Sequence, residues 1–149
     1  MALKRFFLNL RMKNILFILI LIGTTTMTAQ EIATYQWKNR LVLILSSSTE
    51  TANYQKQVQE LEENTEGLAE RKIKVFQITP KKFTTGFSTD WKNNNSLYHK
   101  FSTQNADFEV ILIGLDGGEK LRRQQPVSTE KLFSTIDVMP MRKAEMRTD

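Results

Sequence analysis

Three apolar runs punctuate the chain, Ile15–Ile22, Leu41–Leu45 and Phe108–Leu115, and the stretches between them follow other periods. Leu41-Val42-Leu43-Ile44-Leu45 is unbroken and ends at Ser46-Ser47-Ser48, the pattern of a strand covered on both faces at the centre of an α/β sheet. After it, Tyr54, Val58, Leu61, Thr65 and Leu68 recur at helical spacing, and Glu60, Glu62, Glu63, Glu66 and Glu70 fill other positions. Ser47 with Glu50, or else Thr49, supplies the cap. The spacing predicts one helix ending near Arg71, weakened locally at Gly67. Ile73, Val75, Phe76 and Ile78 then predict a second strand, stopped by Pro80. Strand, helix, strand is a βαβ unit whose crossover should be right-handed.

From Lys81 to Asp107 the only periodic piece is a short helix over Ser96–Ser102, burying Leu97 and Phe101. Phe108–Leu115 predicts another strand, Asp116-Gly117-Gly118 a turn, and Glu119–Arg123 the antiparallel return. Ser128 or Thr129 caps a last helix that turns Leu132, Phe133 and Ile136 inward. Pro140 must end or kink it, because proline lacks an N–H and clashes with the preceding turn; Met141–Met146 adds a further turn.

The resulting order is β-α-β, a short helix, a β-hairpin and a C-terminal helix. That is a thioredoxin-like single-domain α/β fold, its first strand pairing with both the second strand and the first hairpin strand. In such a fold the redox Cys-x-x-Cys lies between the first core strand and its helix. Here that stretch reads Ser46-Ser47-Ser48-Thr49-Glu50-Thr51, and the chain contains no cysteine. Ala106-Asp107-Phe108 also stands where the proline before the hairpin strand is usual. Thiol oxidoreductase and peroxiredoxin chemistry is therefore excluded whatever the fold.

The first apolar run carries an address. Lys13-Asn14 precedes Ile15–Ile22, and Gly23 leads into small and polar residues ending at Met27-Thr28-Ala29. A basic start, a short apolar stretch and a small residue before the cut make a signal peptide over residues 1–29, with cleavage expected after Ala29. The run is too short for a membrane span, so no span is expected after cleavage, and residues 30–149 form the mature domain in the periplasm or outside the cell.

Charge then changes its meaning. The formal net charge of +5 suggests nucleic acid, but Lys4, Arg5, Arg11 and Lys13 all lie in the leader, which has no acidic residue. The mature part keeps 17 basic against 16 acidic residues, so no nucleic-acid partner is expected. With no cysteine and His99 as the single histidine, neither a metal site nor a cofactor is expected. Asp116-Gly117-Gly118 lacks the recurring oxygen ligands of a calcium loop and leads into a strand rather than a helix, so it is not a phosphate loop.

Three patches together resemble a known family: Tyr35-Gln36-Trp37-Lys38-Asn39-Arg40-Leu41-Val42-Leu43, Ile113-Gly114-Leu115-Asp116-Gly117-Gly118-Glu119-Lys120-Leu121-Arg122, and Ile136-Asp137-Val138-Met139-Pro140-Met141-Arg142-Lys143-Ala144-Glu145. With them the chain is similar, from Tyr35 to Arg147, to the domain of unknown function 4174 family. That family comprises small exported bacterial proteins and modules of animal extracellular-matrix and sushi-repeat proteins. The resemblance implies a thioredoxin-like fold without redox cysteines and, from the animal members, adhesion and matrix binding. It implies no catalytic residue. Leu115 departs from the family, which usually has lysine before Asp-Gly, so a role for a turn lysine does not carry over.

Two sets of residues are candidates for a site. Arg40 at the edge of the first core strand, Lys120 and Arg122 on the return strand, and Arg142 after Pro140 stand where element ends converge, with Asp137 and Glu145 beside them. They form either an anion-binding cluster, since arginine offers forked donors, or a structural ion-pair network that locks the last helix to the sheet; the near balance of charge favours the network. The second candidate is a basic-aromatic surface of Lys81, Lys82, Phe87, Trp91 and Lys92, suited to a polyanion such as a sulfated glycan; a solvated loop facing the acidic helix is the plainer alternative. No catalytic constellation is present. The chain reads as an exported, non-redox binding or interaction module for an unknown protein, a polyanion, or an envelope or matrix component. The other classes are a cysteine-independent enzyme and an envelope protein that self-associates through Met139-Pro140-Met141.

Overall fold

Leu41 to Leu45 run through the middle of a six-stranded sheet of order β4-β3-β2-β1-β5-β6 in the computed structural model, which describes residues 32–104 and 106–148. The expected signal peptide and its cut after Ala29 lie outside the described residues. All seven residues of β1 (Arg40–Ser46) are buried. It pairs in parallel with β2 (Ile73–Ile78), Val42 opposite Val75, and antiparallel with β5 (Phe108–Ile113), Val42 opposite Leu112. Side chains alternate across a strand, so β1 feeds two cores. Val42 and Ile44 meet Leu61, Leu68, Leu132 and Ile136 on one face; Leu41, Leu43 and Leu45 meet Phe76, Phe83, Leu97 and Ile111 on the other. Two covered faces explain why the run shows no alternation.

The predicted single helix is two, α1 (Ala52–Glu62) and α2 (Thr65–Glu70), broken at Glu63 and Asn64, where Asn64 Nδ2 donates to the Glu60 carbonyl. Neither Ser47 nor Thr49 is the cap. The N-cap is Thr51, which makes no side-chain cap bond: its Oγ1 lies 3.1 Å from Ser46 Oγ, and Ser48 Oγ accepts from the Glu50 N–H. Gly67 is more than a weak point. A Cβ there would sit 2.6 Å from Phe133 Cε2, so glycine is what lets α2 approach the last helices.

Two strands were not foreseen. β3 (Lys82–Thr85) pairs antiparallel with β2, and β4 (Lys92–Asn93) pairs with β3 at the sheet edge. Lys-Phe-Thr-Thr offers one large apolar residue, too few to display a period. The short helix α3 (Ser96–Phe101) and the hairpin of β5 with β6 (Glu119–Arg123) stand where the pattern put them. Gly117 takes φ +80 in the turn, which only a residue without a Cβ adopts freely. Ser128 caps α4 (Thr129–Asp137), accepting from the Lys131 N–H. Pro140 does not merely kink that helix. It opens a separate one, α5 (Pro140–Thr148), at the first-turn position where a missing N–H costs nothing.

Candidate anion-binding site

Parallel pairing sets Arg40, the first residue of β1, opposite Ile73, and so beside the α2–β2 connection at Arg71 and Lys72. Helix α5 closes over the same end of the sheet. Arg40 Nη1 donates to the Arg71 carbonyl at 2.9 Å and to Glu145 Oε2 at 3.1 Å. Arg142, 3% exposed, donates to the Glu70 carbonyl at 3.2 Å, to the Glu70 carboxylate, and to Asp137 Oδ1 at 3.4 Å. Asp137 is gripped a second time by Arg71, through Nε at 2.9 Å and Nη2 at 2.7 Å. Lys72 Nζ lies 3.7 Å from Glu145.

Arg40, Asp137, Arg142 and Glu145 therefore converge. Sequence reading missed Glu70, Arg71 and Lys72 as members. Strand register was the available signal, since any residue just before β2 must sit beside Arg40.

Lys120 and Arg122 do not join this network, contrary to expectation. Leu121 turns into the core of Val42 and Leu112, so by alternation Arg122 lies on the opposite face, against α3. There it donates to the Phe101 carbonyl at 2.9 Å and to Glu109 Oε1 at 2.9 Å. Its Nε and Nη2 take the two oxygens of Glu119 at 3.1 and 2.8 Å. Lys120 stays at the hairpin turn, 2.7 Å from Asp116 Oδ2. The pair lies over Gly114, where a Cβ would come 2.6 Å from Lys120 Cε.

Glu109 and Asp137 are held below the usual carboxylate range. Burial acts to raise the pKa of Glu109, which is 1% exposed, but hydrogen bonds from Thr103 N–H, Thr103 Oγ1 and Arg122 outweigh it and hold the group below its ordinary value. The Arg71 fork holds Asp137 low against its burial, and the Thr129 N–H and hydroxyl do the same for Glu60. A carboxylate whose folded value is lowered contributes stability above its unfolded value and loses it as pH falls through the folded one. Stability measured by urea unfolding should therefore be nearly constant between about pH 6 and pH 9 and weaken below about pH 4.5. Glu109→Gln should be less stable at neutral pH and show a shallower acid limb; an unchanged limb would mean Glu109 is not a titrating anchor.

Between the end of β1, the hairpin turn and the α4–α5 junction lies a cavity of about 330 Å³, lined by Arg40, Lys120, Leu115, Met139, Pro140 and Met141 among others. Arg40 is 1% exposed, and its Nε and Nη2 have no hydrogen-bond partner among the described residues. In a planar guanidinium these two groups form one edge, directly across from Nη1, which Glu145 and Arg71 occupy. Arg71 and Arg122 each use that same edge to hold both oxygens of one carboxylate. In Arg40 it has no partner among the described residues and is closed off from solvent.

The second candidate surface divides. Lys82 Nζ sits 4.8 Å over the Trp91 ring, whereas Lys92 Nζ is 5.9 Å from Phe83, which packs in the opposite core. Phe87 and Trp91 are partly buried against the helix-side core, while Lys81 is exposed at the edge. His99 is exposed on α3. Among the described residues no group of three or more His, Cys, Asp or Glu is placed to hold a metal ion, and no helix is long and apolar enough to cross a membrane.

The sequence model of the family described as "Domain of unknown function (DUF4174)" matches residues 31–145. No curated protein matches the chain. Among solved structures, the chain is similar to the reduced 2-Cys peroxiredoxin of Plasmodium vivax, with a TM-score of 0.52 at 10% identity, over 77% of this chain and 84% of that one. At that identity the likeness speaks for the fold alone, which is thioredoxin-like, here in a chain without cysteine.

Proposed function

The chain belongs to the DUF4174 family, and from that premise we propose that it is an exported, non-redox binding module that takes an anionic group at Arg40. The apolar leader supports export, and the absence of cysteine separates the module from the redox chemistry of its fold. One observation carries the binding reading: a buried guanidinium, part of a cavity wall, with one edge bonded inside the protein and the other edge without a partner among the described residues and closed off from solvent. Burying donors without acceptors costs about 1–3 kcal/mol each, and an anion that reaches this edge from the cavity, as the wall gives way, removes that cost. A purely structural arginine has no such reason to leave half its donors unused. The walls of Met139 and Met141 are flexible thioethers that can yield to an incoming group.

The test is a titration of the ¹⁵N-labelled protein with sodium acetate and sodium sulfate, with chloride as control, following the arginine Nε–H signals. One signal, absent from Arg40→Met, should move with the oxyanions and not with chloride. If no oxyanion moves it, Arg40 is structural and the reading fails.

A further inference from the structure

We infer that the group bound at Arg40 is the carboxylate of a small monoanion with a linear apolar body, an inference that rests on the anion-binding reading above. Three features of the cavity lead there.

The first is shape. Two parallel N–H groups on one guanidinium edge match the two oxygens of a carboxylate, as Arg71 with Asp137 and Arg122 with Glu119 already demonstrate within this chain. A chloride ion offers both donors a single centre rather than one acceptor atom along each N–H direction.

The second is charge. Among the described residues, the ion pairs at the α5 end of the sheet set Arg40, Arg71, Lys72 and Arg142 against Glu70, Asp137 and Glu145, a surplus of one positive charge within that network. Lys120, the other cation at the cavity, is matched by Asp116 at 2.7 Å. One negative charge neutralises this network, whereas a second exceeds the charge that its paired residues leave over.

The third is the remaining wall. Away from Arg40 and the Lys120–Asp116 pair, the lining is Gly114 and the apolar side chains of Leu115, Met139, Pro140 and Met141. Such a wall rewards an apolar chain and gives a sugar or a peptide backbone no hydrogen bonds. About 330 Å³ lies at the small end of ligand cavities, which run from about 300 to 1,000 Å³. A short aliphatic acid fits these limits. A sulfated glycan does not.

Calorimetric titration of the full chain with acetate, butyrate and hexanoate tests this, with succinate, 1-hexanol and a tripeptide ending in leucine as comparisons. Affinity should rise by up to about fourfold for each added methylene, since burying one is worth about 0.8 kcal/mol. Hexanol, lacking the carboxylate, should bind far more weakly than hexanoate, and Arg40→Met should abolish the difference. Should acetate bind while affinity stays flat with chain length, or succinate exceed butyrate, the apolar-monoanion inference is overturned and the anion-binding reading survives. Tighter binding of the tripeptide than of hexanoate would make the occupant a chain terminus and overturn the small-molecule assignment. If none of the carboxylates binds, both fail. Because hexanol against hexanoate is read on the native chain, the test stands even if Arg40→Met does not fold.

Discussion

Replacing Arg142 with methionine is expected to lower the unfolding free energy by about 3 kcal/mol, while Arg40→Met should cost less than about 1 kcal/mol. Both guanidinium groups are buried, so burial alone does not separate them. Their bonding does. Arg142 uses all three nitrogens: Nη1 holds the Glu70 carbonyl, Nη2 its carboxylate, and Nε reaches Asp137. Methionine fills similar space but leaves the Glu70 carbonyl without this donor and unties α5 from α2. Breaking a buried pair typically costs about 3–5 kcal/mol; the lower end applies because Arg71 still holds Asp137 and Glu70 remains largely exposed.

Arg40 carries the same desolvation cost with only Nη1 bonded. Its removal relieves that cost, and Glu145 retains Arg142 at 3.6 Å and Lys72 at 3.7 Å. Urea unfolding of the two variants side by side measures the difference. Equal losses would make Arg40 as structural as Arg142 and take away the support for a site.

A second large effect belongs to a residue that looks unremarkable in sequence. Gln57→Leu should cost about 3 kcal/mol, although leucine is the better core residue by hydrophobicity. Gln57 is fully buried, and its amide closes on both backbone groups of Val127: the Val127 N–H donates to Oε1 at 2.6 Å, and Nε2 donates to the Val127 carbonyl at 3.0 Å. Leucine leaves both groups buried and unpaired, at about 1–3 kcal/mol each, less what its own burial returns. Next to it, Glu60 accepts from the N–H and hydroxyl of Thr129, so α1 holds the start of α4 at two successive points. Gln59→Leu, on the exposed side of the same helix, should change stability by no more than about 0.5 kcal/mol. Thermal unfolding of both variants decides it; if Gln57→Leu is as mild as Gln59→Leu, the clamp on Val127 is not holding the α4 entry.

Gln57 also shows where reading from sequence stops. The helical stripe was placed on Tyr54, Val58, Leu61, Thr65 and Leu68, yet Val58 is only partly buried and Thr65 is exposed, while Gln57 is buried completely. A glutamine has no hydrophobic signature. It becomes a core residue only because the loop before α4 brings two unpaired backbone groups to it. Strands β3 and β4 were invisible for a related reason: they exist because β2 offers an open edge, not because Lys82–Thr85 has a strong pattern of its own.

What the sequence determined by itself was whatever depends on near neighbours. The unbroken run Leu41–Leu45 had to be a doubly covered strand, Asp116-Gly117-Gly118 had to turn, Ser128 or Thr129 had to cap, and a chain with no cysteine had to be without thiol chemistry. Tertiary structure alone decided which charges meet. Arg71 joined Asp137, Arg122 left for Glu109 on the opposite face, and Arg40 kept one edge of its guanidinium unbonded. Burial of an apolar residue is non-directional and so survives small errors of register, whereas a hydrogen bond to a charge demands placement to within a fraction of an ångström, which only the closed packing of sheet and helices supplies.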